Sequence, residues 1–299
     1  MKLITRGFAV VTICTIGFGT IYVVLQPHKV DSLPYFADDR FQIIAHRGGL
    51  GLRPENTILA FQNADSLNVD VLEMDIHSSA DGELVVIHDD TVDRTTNGVG
   101  RVSEINFKQL RQLDAAFNWQ NNYGEIPYRG KGIRIPSLSE ILKKFSHRRL
   151  LLEIKSNDVL TGEKICHSLR QYKMQDKTVV GSFHSKALNA FSLHCPKVPT
   201  SASSIHVGTF LLLHYLRLGF LYPNPPSAFQ VPEHLGRLRL VDSRFIKQIQ
   251  SLNSVVHVWT VNQPETMKKL IDLGVNGIIT DYPDRLSQLL KRNNGTNTQ

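Results

Sequence analysis

The 299-residue chain is 41% hydrophobic and 20% charged, a globular composition that excludes intrinsic disorder, collagen and disulfide-scaffold classes. Its 34 Lys and Arg exceed its 27 Asp and Glu, giving a net charge of +7. That balance favours anionic surfaces such as phospholipid headgroups; without a basic arm, zinc-finger spacing or aromatic RNA-binding signature it implies no nucleic-acid partner.

Residues 8–25, FAVVTICTIGFGTIYVVL, carry no charge. As a helix they span about 27 Å, enough for a bilayer. Lys2 and Arg6 in the short tail 1–7 keep that end cytosolic. The expectation is a single-pass membrane anchor with the bulk of the chain on the non-cytosolic side. A cleaved signal peptide is the weaker alternative, because Gly17 and Gly19 make a poor cleavage site, and bulky Ile13 before Cys14 argues against a lipoprotein. Residues 26–40, with Pro27 and Pro34, read as a linker. Cys166 and Cys195 form no CxxC pair, and whether they meet in space is open.

From residue 41 strands and helices alternate. Strand-like runs fall at 41–46, 71–77, 84–89, 150–155, 178–183, 227–232, 255–261 and 274–280. Helical patterns fall at 55–68, 137–147, 161–173, 185–195, 207–219, 242–253, 264–273 and 283–292. Short apolar strands alternating with helices indicate a parallel α/β sheet. About eight such units, with no GxGxxG or P-loop, favour a closed barrel over an open sheet. Residues 90–136, rich in glycine and with one short helix expected at 103–113, break the rhythm as an insertion. The very apolar helix at 207–219 is expected to pack on the barrel rather than to touch lipid. The barrel unit is expected over 41–292, followed by a flexible tail at 293–299.

Glu73 and Asp75 lie two apart on a predicted strand, so both side chains share one face. Glu153, near the end of another apolar strand, supplies a third carboxylate. Acids gathered inside a barrel are costly unless a cation pairs with them; oxygen ligands without cysteine point to Mg²⁺ or Ca²⁺. Taken singly, each acid reads as an ordinary exposed strand-end residue. His46 and His88 end two predicted strands and suit proton transfer near neutral pH. Arg47 offers a bidentate fork for phosphate. Lys155 fits a phosphate or a carboxylate equally well. The remaining histidines, His77 and His257 among them, read as structural or solvent-facing.

These residues stand in a recognisable order: HRGGLGLRPENT (46–57), EMDIH (73–77), VIHDDTVDRTTNGVG (86–100), LEIK (152–155), SF (182–183), WTVN (259–262) and ITDYPD (279–284). Together they resemble the glycerophosphodiester phosphodiesterase family over about residues 41–290. The resemblance implies a TIM (β/α)8 barrel with a small inserted subdomain, here preceded by one N-terminal transmembrane helix. It implies His46 and His88 as the acid/base pair, Glu73, Asp75 and Glu153 as ligands of a divalent cation, and Arg47 and Lys155 as phosphate contacts. Phe183 and Trp259 match positions near the pocket; for Trp259 simple packing is as good a reading. Glu55 and Asn56 match positions supporting the first-strand loop, with Glu55 close to the metal.

The implied activity is metal-dependent hydrolysis of glycerophosphodiesters to glycerol 3-phosphate and an alcohol. IPYRGKGIRIP (126–136) resembles the membrane-associated, lysophospholipase D-type branch, so release of lysophosphatidic acid from lysophospholipids is the alternative. A phosphoinositide-specific phospholipase C fits the first motif less well. A catalytically silent, membrane-tethered lipid-binding protein would have lost a histidine or a carboxylate, and none is lost.

Overall fold

Period-two alternation along a strand governs this molecule. In the computed structural model, which describes residues 29–31, 33–38 and 40–295, the strands are β1 (Gln42–Ala45), β2 (Val71–Ser78), β3 (Leu84–Val86), β4 (Arg149–Ile154), β5 (Thr178–Gly181), β6 (Ala228–Pro232), β7 (His234–Leu235), β8 (Leu238–Arg239), β9 (Val255–Trp259) and β10 (Gly277–Thr280). Seven of them form one parallel run in the order β5-β4-β2-β1-β10-β9-β6. Residues 199–202 bridge its two ends. Ser201 N donates to Val180 O at 3.0 Å, and Ala202 N to Ala228 O at 2.7 Å. The result is a TIM-barrel-like ring of eight parallel staves.

The eighth stave is not the one the sequence suggests. The run at 84–89 contributes only β3, which pairs antiparallel with the far end of β2 and stands outside the ring. The true eighth stave, in PKVPTSAS, carries two prolines and reads as a loop. It is held by backbone bonds on both sides: Val180 N donates to Pro199 O and Ser227 N to Thr200 O, beside the two bonds from Ser201 and Ala202.

The helices are α1 (Ile58–Ser66), α2 (Phe107–Leu110), α3 (Leu138–Lys144), α4 (Val159–Gln171), α5 (Ser185–His194), α6 (Ser204–Tyr215), α7 (Ser243–Ser251), α8 (Pro264–Leu273) and α9 (Pro283–Gly295). Their starts follow capping chemistry: Thr57, Ser137, Asp158 and Asp242 each accept a backbone N–H in the first turn. Outward stave residues such as Leu72, Met74, Leu150, Leu152, Val180, Phe229 and Val256 pack against this helical layer in the main core. Inward residues form a smaller apolar layer of Ile44, Val71, Leu151, Val179 and Ile279. Two residues further along, four of these five staves turn the interior polar, at His46, Glu73, Glu153 and Asp281, and the fifth places Gly181 there. The apolar layer is thus the floor of the site.

Tyr35, 1% exposed, closes that floor from below, and Asp38 pairs with Arg149 at 2.9 Å. Residues 34–38, expected as linker, are therefore part of the barrel's base: Pro34 starts a tight turn that drives the Tyr35 ring inward. The expected tail 1–7 and anchor 8–25 lie outside the described residues. Among those described, no helix is long and apolar enough to cross a membrane. The last helix continues to Gly295, past the expected start of the tail at 293.

The insertion has its own small core of Val85, Ile87, Val92, Val102, Leu110, Ala115 and Ile135. Its expected helix shrinks to α2. It docks on the barrel through Trp119 Nε1, which donates to Leu50 O at 2.9 Å.

Cys166 on α4 and Cys195 at the end of α5 form a disulfide, a pairing the sequence left open. Gly162 makes the approach of these helices possible: an added Cβ would lie 2.7 Å from Ala187 O. The bridge closes a separation of 29 residues, so loop-closure entropy assigns it roughly 3–4 kcal/mol. Urea unfolding of the Cys166→Ala/Cys195→Ala variant should show a loss of that order; an unchanged midpoint would mean the helix contacts alone suffice.

Candidate active site

The C-terminal ends of the staves surround an open cleft of about 780 Å³, lined by His46, Arg47, Glu73, His88, Glu153, Lys155, Phe183 and Trp259 among others. Of the expected site residues, only Asp75 is not in the lining. It lies just beneath, 1% exposed, and joins Glu73 and Glu153 in a cluster in which one oxygen from each carboxylate lies within 4.8 Å of the other two.

The loop after β1 is bent to serve this cluster. Arg47 adopts a left-handed φ of 51° and Gly48 one of 81°, an arrangement that costs a non-glycine residue about 1–2 kcal/mol. The turn aims Arg47 N at Glu73 Oε2, 2.6 Å away. At Gly48 only glycine fits, since a Cβ would meet that of Ala60 at 2.8 Å. Asn56, also left-handed, brackets Asp75: its Nδ2 donates to Oδ2 at 2.8 Å and its Oδ1 accepts Asp75 N at 3.3 Å.

Burial, with the charge of Asp75 beside it, pushes the Glu73 carboxyl up to about 7. Burial acts in the same sense on Asp75, but Lys155 and Arg47 outweigh it and hold that carboxyl below its usual range. Of the two, Glu73 takes the proton first. Asp75 Oδ1 accepts no well-aligned hydrogen bond, although the Lys155 ammonium lies 3.1 Å from it. Three clustered carboxylates, one driven towards protonation and one with an unfilled acceptor, are the donor set a hard divalent cation requires. The residues fit such an ion. Lys155 also donates to Glu153 at 2.8 Å, so its carboxylate reading is realised in this structure.

Both histidines are backed by aspartates. His46 Nδ1 lies 2.6 Å from Asp281 Oδ1, and His88 Nδ1 lies 2.6 Å from Asp89 Oδ1. A carboxylate only accepts, so Nδ1 carries the hydrogen in each ring and Nε2 is left for proton exchange. Burial would lower the His46 pKa; the bond to Asp281 and the charge of Glu73 prevail and raise it. Asn262 fixes Asp281 by donating to its Oδ2 at 2.6 Å. On the other side Arg94 donates to both Asp89, at 2.6 Å, and Glu55, at 2.7 Å, while Glu55 also accepts from Arg47 at 2.9 Å. Burial would raise Asp89, but the bonds from Arg94 and His88 bring it down to about 2.

Two expectations change. His88 does not end a barrel stave: it follows β3, outside the ring, and is held over the cleft by His77, whose Nε2 donates to the His88 carbonyl at 3.1 Å. Glu55 is not in the carboxylate cluster, because two arginines occupy its oxygens. Asp89, Asp281, Asn262 and Arg94 lie within the motifs that carry the family resemblance, but the sequence assigns none of them a role. Asp89 adjoins His88, and Asp281 lies two residues beyond the inward Ile279, so adjacency and alternation were the available signals. Arg94 had none. Phe183 and Trp259 meet edge-on at 6.0 Å between ring centres at the cleft wall.

A model of the glycerophosphoryl diester phosphodiesterase family matches residues 46–285. The chain belongs to this family. A glycerophosphodiester phosphodiesterase of Caldanaerobacter subterraneus is 31% identical over 266 residues, covering 84% of this chain and 98% of the relative. The mouse lysophospholipase D GDPD1 is 28% identical over 272 residues, covering 83% and 85%. Among solved structures, an Oleispira antarctica phosphodiesterase in complex with the product sn-glycerol-3-phosphate superposes with a TM-score of 0.69 at 26% identity, covering 84% of this chain and 96% of that one. Relatives matched over nearly their whole length consist of little more than the barrel.

Proposed function

We propose that the protein cleaves one P–O bond of a glycerophosphodiester, giving glycerol 3-phosphate and an alcohol such as choline or ethanolamine. The observation that carries this is the meeting of two aspartate-backed histidines with the carboxylate cluster in one cleft. One Nε2 takes the proton from the attacking oxygen and the other gives one to the leaving alkoxide. The aspartates hold the ring tautomers and stabilise the imidazolium that forms. Arg47, tethered by Glu55, places positive charge beside the non-bridging oxygens. Glu73, Asp75 and Glu153 would hold Mg²⁺ or Ca²⁺, which when bound withdraws charge from the phosphoryl oxygens.

A second reading, lysophospholipase D action, is favoured by Phe183. It is 54% exposed at the cleft mouth, where an acyl chain would cover it. The anchor at residues 8–25 and a non-cytosolic barrel belong to the same proposal; the Cys166–Cys195 bridge supports the compartment, since disulfides persist where the medium is oxidising.

The test is a substrate panel of glycerophosphocholine, glycerophosphoethanolamine, lysophosphatidylcholine and lysophosphatidylinositol, with products identified by mass. Glycerol 3-phosphate from the first two supports the main reading, and lysophosphatidic acid alone supports the second. No turnover of any, with Mg²⁺ or Ca²⁺ added, leaves the lipid-binding alternative.

A further inference from the structure

A helix covering a barrel normally buries one stripe and turns a charged face to water. The neighbours of α6 conform: α7 exposes Arg244 and Lys247, and α8 exposes Lys268, Lys269 and Asp272. α6 does not. It buries Phe210 and His214, in an aromatic cluster with Tyr222, Phe229 and Phe245, and packs Val207, Leu211 and Leu213 half-buried against the same core. Its outward positions are Ser204, Ile205, Gly208, Thr209, Leu212 and Tyr215, without one charge. Ile205 is 67% exposed and Leu212 62%, and the strip continues through Leu216 at 59% to Phe220 at 42%. The expectation that this helix spends its apolar residues on the barrel is thus met on one side only. Scattered exposed leucines need no explanation, but a continuous uncharged strip does.

We propose that this outward face of α6, continued to Phe220, is a docking surface for a phospholipid bilayer, on which the barrel lies on its side. Two observations select lipid as the occupant. The first is charge. No Asp or Glu occurs from Ser204 to Pro232, exposed Arg217 lies between Leu216 and Phe220, and Arg244 on α7 reaches α6, its Nη2 3.3 Å from His214 Nε2; Arg237, Arg239 and Lys247, all exposed, add basic charge in the segment that follows. The next acids along the chain are already engaged: Glu233 pairs with Lys269, and Asp242 caps α7. An apolar strip with a basic rim is complementary to an anionic headgroup layer.

The second is the route of the chain. Val30 N donates to Leu252 O at the end of α7, and Gly219, beside Phe220, packs on Gln248 of the same helix. The apolar run 8–25 ends five residues before Val30, a distance of at most about 17 Å of extended chain. A bilayer holding that run therefore lies at the Phe220 end of the strip. The other end, Ile205, is three residues past Ala202, which lines the cleft. With 12 residues, α6 reaches about 18 Å between them. Contact along its length brings the cleft mouth, with Phe183, to the headgroup layer.

The docking surface rests on residues 8–25 being membrane-bound, not on the catalytic reading, and the two are tested apart. Because barrel-only relatives exist, residues 29–299 are used for flotation with phosphatidylcholine vesicles, with and without phosphatidylglycerol. The barrel should float with the anionic vesicles, and Leu212→Glu/Leu216→Glu should reduce the bound fraction about tenfold or more, from the lost apolar area and the added charge. Turnover of soluble glycerophosphocholine should be unchanged in that variant, which also reports its folding; Ile205→Ser, a milder change, serves if the double variant is unstable. Three results overturn the proposal: no flotation of the wild-type barrel, equal flotation of the variants, or a wild-type dimer in solution that the substitutions dissociate, which would give the face to a second copy. Carbonate extraction of the full chain tests the anchor separately.

Discussion

Replacing His46 or His88 with alanine is expected to lower kcat for glycerophosphocholine by about 10²–10⁴-fold, the range of a positioned general acid or base. Neither ring lies in the apolar core, so the unfolding midpoint should stay close to wild type. The double variant should be little worse than either single one, because proton removal and proton donation belong to one displacement. Additive losses would assign the rings to separate steps, and a near-wild-type rate for either would remove it from the mechanism.

Asp281→Asn gives a finer readout. It keeps the shape beside His46 Nδ1 but removes a charge that helps raise the His46 pKa. The limb of the pH–rate profile belonging to His46 should therefore move to lower pH. That sign holds whether His46 is the base, setting the acidic limb, or the acid, setting the basic one. An unmoved limb with a merely reduced rate would confine Asp281 to orienting the ring.

Much of this site is legible in the sequence because barrel interiors alternate. Glu73 and Asp75 share a face at spacing two, and Glu153 and Lys155 repeat the relation on the next stave. What escapes is whatever depends on long-range pairing. Residues 199–202 have no strand pattern of their own and become a stave only when β5 and β6 bracket them. The 84–89 run has the pattern and is not a stave, since its partner is the protruding end of β2. Arg94 sits in the irregular insertion, where no periodicity says that it will bridge Asp89 to Glu55. Tyr35 shows the same limit: a single aromatic after a proline looks like linker until the open base of a barrel needs filling.

Stripping divalent cations is expected to cost at least about 10²-fold in turnover, the order of several kcal/mol of transition-state charge stabilisation, with recovery on adding Mg²⁺ or Ca²⁺. A readout independent of catalysis comes from Glu73. Its carboxyl is pushed up to about 7, so below that pH the cluster holds a proton that an incoming ion must displace. Ion affinity should rise as pH increases through 7, and titrations near pH 6 should release a proton measurable from the buffer dependence of the binding heat. The ion should also stabilise the fold: at a hundredfold excess over its Kd, about 2.7 kcal/mol, or roughly 5–10 °C in Tm for a barrel of this size. Asp75→Asn should abolish both the Tm shift and the proton release. Lys155→Met should strengthen ion binding, because its ammonium contends for oxygens of Asp75 and Glu153, yet still lower turnover by removing a positive charge from the cleft. Full activity after chelation would mean that Lys155 and Arg47 alone neutralise the cluster and that its carboxylates are structural.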